Sequence, residues 1–147
     1  MEQFVETTVD KFVFRVATDC LYSVEGVWVR PESGGVRVGW TDYVQQRSGD
    51  AAFVRVKPLG TRLAVGDEFA EIETIKVNQS VFAPFGGKIV EINASLALSP
   101  EIVNQDPYGK GWLARIEAAD WDAASARLLD ANAYLAVMRS QAEQEIG

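Results

Sequence analysis

Val65-Gly66-Asp67-Glu68-Phe69-Ala70-Glu71-Ile72-Glu73-Thr74-Ile75-Lys76-Val77 runs on through Asn78-Gln79-Ser80-Val81-Phe82-Ala83-Pro84-Phe85-Gly86-Gly87 into Lys88-Ile89-Val90-Glu91-Ile92. Gly66-Asp67 is a turn signal, and the residues after it alternate as a strand does, with Ala70 and Ile72 on one face. Val81-Phe82-Ala83-Pro84 leads to a second turn at Gly86-Gly87, and Lys88 to Ile92 resumes a strand. Two strands that meet between these turns make a hairpin with Lys76 at its tip. Glu68, Glu71 and Glu73 belong to the same amphipathic pattern and read as its solvated side rather than as a general acid–base pair.

Lys76 lies ten residues after Gly66 and eleven before Gly87, at the point farthest from both turns. That near-symmetry looks like the placing of a post-translationally modified, swinging-arm lysine. An amine used for attachment must be reached by a ligase and must then project its cargo into other active sites, and an exposed tip suits both needs. A lone lysine at such a tip is ordinarily just solvated. The flanking symmetry, with Glu73 three residues earlier, sets this one apart, and Lys57, Lys88 and Lys110 lack that context.

The remaining composition narrows the chemistry. The chain has 147 residues, within the range of one domain, and 48% of them are apolar, enough for a core. A net charge of −7 disfavours nucleic acid and anionic lipid, both of which need clustered Lys and Arg. No stretch approaches the roughly 20 apolar residues of a membrane span, and Glu2 and Glu6 stand where a signal peptide would be basic. A cytoplasmic chain is expected. With no histidine and Cys20 as its one cysteine, it excludes the usual zinc sites, Ser-His-Asp triads and Cys-His pairs within itself. Asp19 and Leu21 supply no positive charge to make Cys20 a thiolate, so it reads as a structural or incidental thiol. The protein is expected to carry a group on which other enzymes act rather than to be an enzyme.

Outside the hairpin the pattern is mostly strands. Lys11 to Val16, Val27 to Arg30, Val36 to Trp40, Ala52 to Val56 and Trp112 to Ile116 are predicted strands. Thr41 to Gly49 is predicted as a short helix capped by those two residues. Ser99-Pro100-Glu101 is predicted to start another, with Ser99 as its cap, broken by Pro107-Tyr108-Gly109-Lys110-Gly111. From Asp120 to about Glu145 one helix is expected, with Leu128, Ala131, Leu135 and Met138 recurring as a stripe packed on the rest of the domain.

Glu73-Thr74-Ile75-Lys76, then Phe82 through Asn93, then Ser99 through Leu113 resemble the H-protein of the glycine cleavage system. The resemblance extends through Tyr22-Ser23, Glu25, Trp28-Val29-Arg30, Thr41-Asp42-Tyr43, Leu128-Leu129-Asp130-Ala131 and Ala133-Tyr134, covering roughly residues 20 to 138. It implies a mainly β barrel-sandwich hybrid of the lipoyl/biotinyl type, with short flanking helices and a C-terminal helix. Residues 1–19 are then an N-terminal extension and residues 20–147 a single lipoyl domain. The resemblance further implies lipoic acid in amide linkage to Lys76, with Glu73 in the motif read by a lipoylating enzyme. The Met-Lys-Met context of biotinyl domains is absent. Two departures bear on cargo. H-proteins usually read His-Glu-Trp where this chain has Gly26-Val27-Trp28, and carry Asp four residues after the lysine, where it has Ser80. If Val27 and Ser80 line the cleft beside the arm, acceptors for a cationic aminomethyl cargo are missing. Within the family the chain therefore resembles the lipoate-binding proteins that serve a bacterial heterodisulfide-reductase-like complex in sulfur oxidation. Transfer of the aminomethyl group among glycine-cleavage enzymes is the alternative, and an unmodified binding scaffold a further one.

Overall fold

The computed structural model describes residues 3–146; Met1, Glu2 and Gly147 lie outside the described residues. Its first element is an antiparallel hairpin, β1 (Phe4–Val9) and β2 (Phe12–Ala17), turned at Asp10, the one described non-glycine residue with positive φ. Thr7 and Val9 of β1 and Phe14 and Val16 of β2 alternate into the interior, and Ala17 is buried at the end of β2.

There follow β3 (Leu21–Tyr22), β4 (Val27–Glu32), β5 (Gly35–Trp40), α1 (Asp42–Ser48), β6 (Ala51–Val56), β7 (Arg62–Leu63), β8 (Glu68–Thr74), β9 (Asn78–Phe82) and β10 (Gly87–Ile92). A 3₁₀ turn (Ala94–Ala97), α2 (Ile102–Gln105), β11 (Ala114–Ala118), α3 (Trp121–Ser125) and α4 (Ala131–Ile146) complete the order. Six strands pair antiparallel in the order β3-β4-β5-β11-β10-β7, and β6-β8-β9 form a three-stranded sheet. One buried cluster joins the sheets, with Val29, Val38, Ile89 and Ile116 from the larger and Phe69, Ile72 and Val81 from the smaller. This is the expected mainly β, barrel-sandwich architecture.

The cap reading of α1 matches local chemistry. Thr41 Oγ1 accepts from Val44 N at 3.3 Å, and Gly49, at φ +89°, takes the left-handed conformation that glycine adopts cheaply at a helix end. Two helix expectations are corrected. Ser99 provides only its carbonyl, which accepts from Ile102 N, and no side chain caps α2. The single helix expected over residues 120 to 145 is two: α3 stops at Ser125, Leu129 pairs across a β-bridge with Tyr22, and Asp130 restarts the chain by accepting from Ala133 N at 2.8 Å. Main-chain bonds from Tyr22 N to Leu129 O and from Leu129 N to Tyr22 O, each 2.8 Å, replace helical ones. As expected, α4 turns its stripe inward, but through Ala131, Tyr134, Met138 and Ala142, with Leu135 only partly covered. Tyr134 stacks on Tyr22 at 4.6 Å between ring centroids.

The β1–β2 hairpin is bound to the rest by long-range bonds. Arg15 N donates to Asp42 Oδ2 at 2.9 Å, Gln46 Nε2 to Val13 O at 2.9 Å and Tyr108 Oη to Arg15 O at 2.7 Å, while Arg139 Nη1 donates to Thr7 Oγ1. These bonds set β2 beside α1 and α4, near the tip of the β8–β9 hairpin.

Candidate functional site: a lysine tip beside two cavities

Strands β8 and β9 pair as far as Glu73 opposite Asn78, leaving Ile75, Lys76 and Val77 as the tip, all exposed. Thr74, buried at the end of β8, organises it. Its hydroxyl donates to Ser48 O at 2.7 Å and accepts from Lys76 N and Val77 N, each at 3.1 Å. One side chain thereby satisfies the amides of a tight turn and anchors it to the end of α1. The Lys76 stem lies across that same helix end: a Cβ placed on Gly49 would sit 3.5–3.7 Å from Lys76 Cδ, Cε and Cγ. Sequence reading missed both roles, although a threonine two residues before a tip is a recognisable turn signal. Thr74→Val keeps the volume but leaves Ser48 O and two amides without their partner, a loss of roughly 1–3 kcal/mol. Faster hydrogen exchange at Lys76 and Val77, with a lowered melting temperature, is the expected result.

Glu73 is exposed beside the tip, and Glu71 faces Arg55 at 3.4 Å. Glu68 departs from the solvated reading: it shares strand parity with Ala70, is half-buried, and accepts from Ser80 Oγ at 2.5 Å. Val27 and Ser80 line one cleft of about 190 Å³, together with Val24, Glu25, Trp40 and Arg47. Val27 is only 2% exposed and belongs to the wall. The cleft does not lack a carboxylate: Glu25 lines it directly. Cys20, 3% exposed, belongs to the core, where its thiol donates to Asp19 Oδ1 at 3.4 Å. Asp19 is held below the usual carboxylate range; burial opposes this, and the Arg30 guanidinium at 3.0 Å outweighs it.

A second cavity, of about 250 Å³, adjoins Lys76 on the side of the N-terminal hairpin. Tyr43, on its wall, has its hydroxyl buried with no hydrogen bond of good geometry. Burial pushes this phenol up, Glu145 adds to the effect, and Arg47 opposes it. Among the described residues no group of three or more His, Cys, Asp or Glu could hold a metal ion, and no helix is long and apolar enough to cross a membrane.

Fold and site together define a β-sandwich domain that presents a lysine at an exposed, internally braced hairpin tip. Residues 20–141 match the family described as Glycine cleavage H-protein. The chain is 44% identical over 119 residues to the glycine cleavage system H protein of Salinibacter ruber, covering 81% of this chain and 95% of that one. It is 39% identical over 127 residues to that of Thermus thermophilus, covering 86% and 98%. The fold matches a glycine cleavage system H protein from Mycobacterium marinum with a TM-score of 0.73 at 31% identity, over 81% of this chain and 95% of that one. The chain belongs to the glycine cleavage H-protein family, whose members are lipoate-bearing carriers rather than catalysts.

Proposed function

We propose that this protein is a lipoyl carrier of the glycine cleavage system, working in the cytoplasm, with its arm in amide linkage to Lys76. The observation that carries the reading is the tip itself: an exposed primary amine on a turn whose amides Thr74 holds, a surface that a ligase can engage. Once attached, the dithiolane supplies thiol–disulfide exchange and a sulfur on which the aminomethyl group from glycine is carried between enzymes. The chain's own part is to present the arm, through Thr74 and Gly49, and to shelter its end. Glu73, exposed three residues before Lys76, serves recognition by the lipoylating enzyme.

The relatives named above support glycine cleavage over transfer to a heterodisulfide-reductase-like complex in sulfur oxidation, so the order of the two sequence expectations is reversed. Val27 and Ser80 pointed to sulfur by removing acidic acceptors, but Glu25 brings a carboxylate to the same cleft. Glu25→Gln is expected to shorten the lifetime of an amine-loaded arm by up to about tenfold. A hydrogen bond to a charged group contributes roughly 1.5–3 kcal/mol, and exposure of Glu25 reduces that. The test of the proposal is loading of lipoylated protein by glycine-cleavage partners, read by intact mass. No gain of the aminomethyl mass, together with turnover by the sulfur-oxidising complex, would restore the sulfur reading.

A further inference from the structure

We propose that the N-terminal hairpin builds a resting site for the unloaded arm of Lys76, formed by Phe12, Phe14 and Tyr43 and separate from the Glu25 cleft. The inference rests on lipoyl attachment to Lys76 as proposed above. Three independent observations lead to it.

First, Lys76 itself lines the cavity of about 250 Å³ shared with Phe12 and Phe14 of β2, Tyr43 and Arg47 of α1 and Ala142 of α4. An arm fixed to this lysine enters the cavity from its own root. The volume is slightly below the roughly 300 Å³ at which ordinary small-ligand sites begin, a scale suited to one slender chain. Second, the lining suits a neutral, apolar occupant. Phe12 is a large apolar side chain left 39% exposed; it stacks on Phe14 at 6.3 Å, and Phe14 meets Tyr43 edge-on at 5.2 Å. The charges on the wall cancel, since Arg47 Nη1 pairs with Glu145 Oε1 at 3.5 Å. Amide linkage removes the ammonium charge of Lys76, so the modified side chain fits this wall better than the free amine. Third, Tyr43 is 2% exposed and its hydroxyl is buried on this wall with no hydrogen bond of good geometry, its polar neighbours Arg47 and Glu145 being paired with each other. Buried hydroxyls are rarely left unpaired, and an acyl-lysine amide offers both a donor and an acceptor.

Two cavities thus flank Arg47, which lines both. The one bearing Glu25 suits a cationic cargo; the hairpin cavity suits the arm without one. Phe12 and Phe14 precede residue 20, where the family match begins, so the hairpin wall of this site comes from outside that match, whereas Tyr43, Arg47 and Lys76 lie within it.

The experiment uses the full chain, lipoylated and verified by intact mass, beside its unmodified form. Backbone and aromatic NMR shifts are compared between the two. The lipoyl group is then reduced, and alkylation of its thiols is followed on the Lys76 peptide, which separates them from Cys20. Expected are modification-dependent shifts at Phe12, Tyr43 and Ala142, and alkylation slower than that of free dihydrolipoamide. Phe12→Ser, at an exposed position, and Tyr43→Phe, which keeps the ring, should each raise the alkylation rate several-fold with unchanged melting. Shifts confined to Val27, Ser80 and Glu25, or alkylation as fast as the free compound, would overturn the resting site and leave the carrier assignment intact. Absence of lipoyl mass at Lys76 would overturn both.

Discussion

Lys76→Arg is expected to abolish lipoyl mass gain on coexpression with a lipoylating enzyme, and with it all carrier function, without changing the melting temperature. Arginine keeps the positive charge but cannot form the ordinary lysine amide, so the substitution removes attachment and little else. The fold should not respond. Lys76 is exposed, its main-chain amide is held by Thr74 whatever the side chain, and its stem only rests on Gly49. Other lysines are not expected to substitute: Lys88 lies within β10, Lys57 is exposed just after β6, and Lys110 lies in the segment between α2 and β11. Intact mass and a thermal melt decide the matter. Residual lipoyl mass in Lys76→Arg would sink the assignment.

The largest effect on stability is expected from Gly87→Ala, and Gly66→Ala is its control. In sequence the two glycines punctuate the lysine hairpin alike, but their surroundings differ. A Cβ on Gly87 would lie 2.3 Å from the carbonyl oxygen of Glu117 and 2.9 Å from Ile116 Cγ2. Both belong to β11, which pairs with β10 at this point, so relief requires moving backbone in the six-stranded sheet. Overpacking of this kind costs roughly 1–3 kcal/mol and occasionally more. For a chain of this length that lowers the melting temperature by about 2–4 °C per kcal/mol. Gly66 has nothing within 4 Å of such a Cβ, and its cost arises only from φ +86°. A left-handed backbone costs a non-glycine residue roughly 1–2 kcal/mol. Gly87→Ala should therefore melt lower than Gly66→Ala, and the reverse order would show that the β10–β11 contact is softer than described.

The departures from expectation share a cause. The helical stripe counted from Asp120 was continuous in composition, yet Leu129 is held in a β-bridge by Tyr22, more than a hundred residues earlier. A local period cannot report a competing bond from so far away. Glu68 reads as solvent-facing because a carboxylate usually is; Ser80 on the neighbouring strand gives it a hydrogen bond that makes half-burial tolerable. The cargo reading, which the relatives do not support, had the same blind spot: counting acidic residues at two aligned positions overlooked Glu25, which lines the cleft from a loop, and Glu68, which Ser80 bonds from the neighbouring strand.

Local chemistry alone accounts for part of this protein. Alternation and glycine turns placed Lys76 at a hairpin tip, Thr41 and Gly49 bounded α1, and the run from Glu73 to Leu113 identified the family. Each depends on residues within a few positions of one another, where propensity and turn geometry act directly. The setting of that tip depends instead on packing across the whole chain. The bond from Thr74 to Ser48, the cleft joining Val27 to Ser80, and the cavity joining Phe12 to Tyr43 and Ala142 all unite residues distant in the chain. Their meeting follows from sheet pairing and from the docking of the N-terminal hairpin on α1 and α4. Those contacts come from burial of one shared core, which fixes side-chain neighbours only after the whole chain has packed.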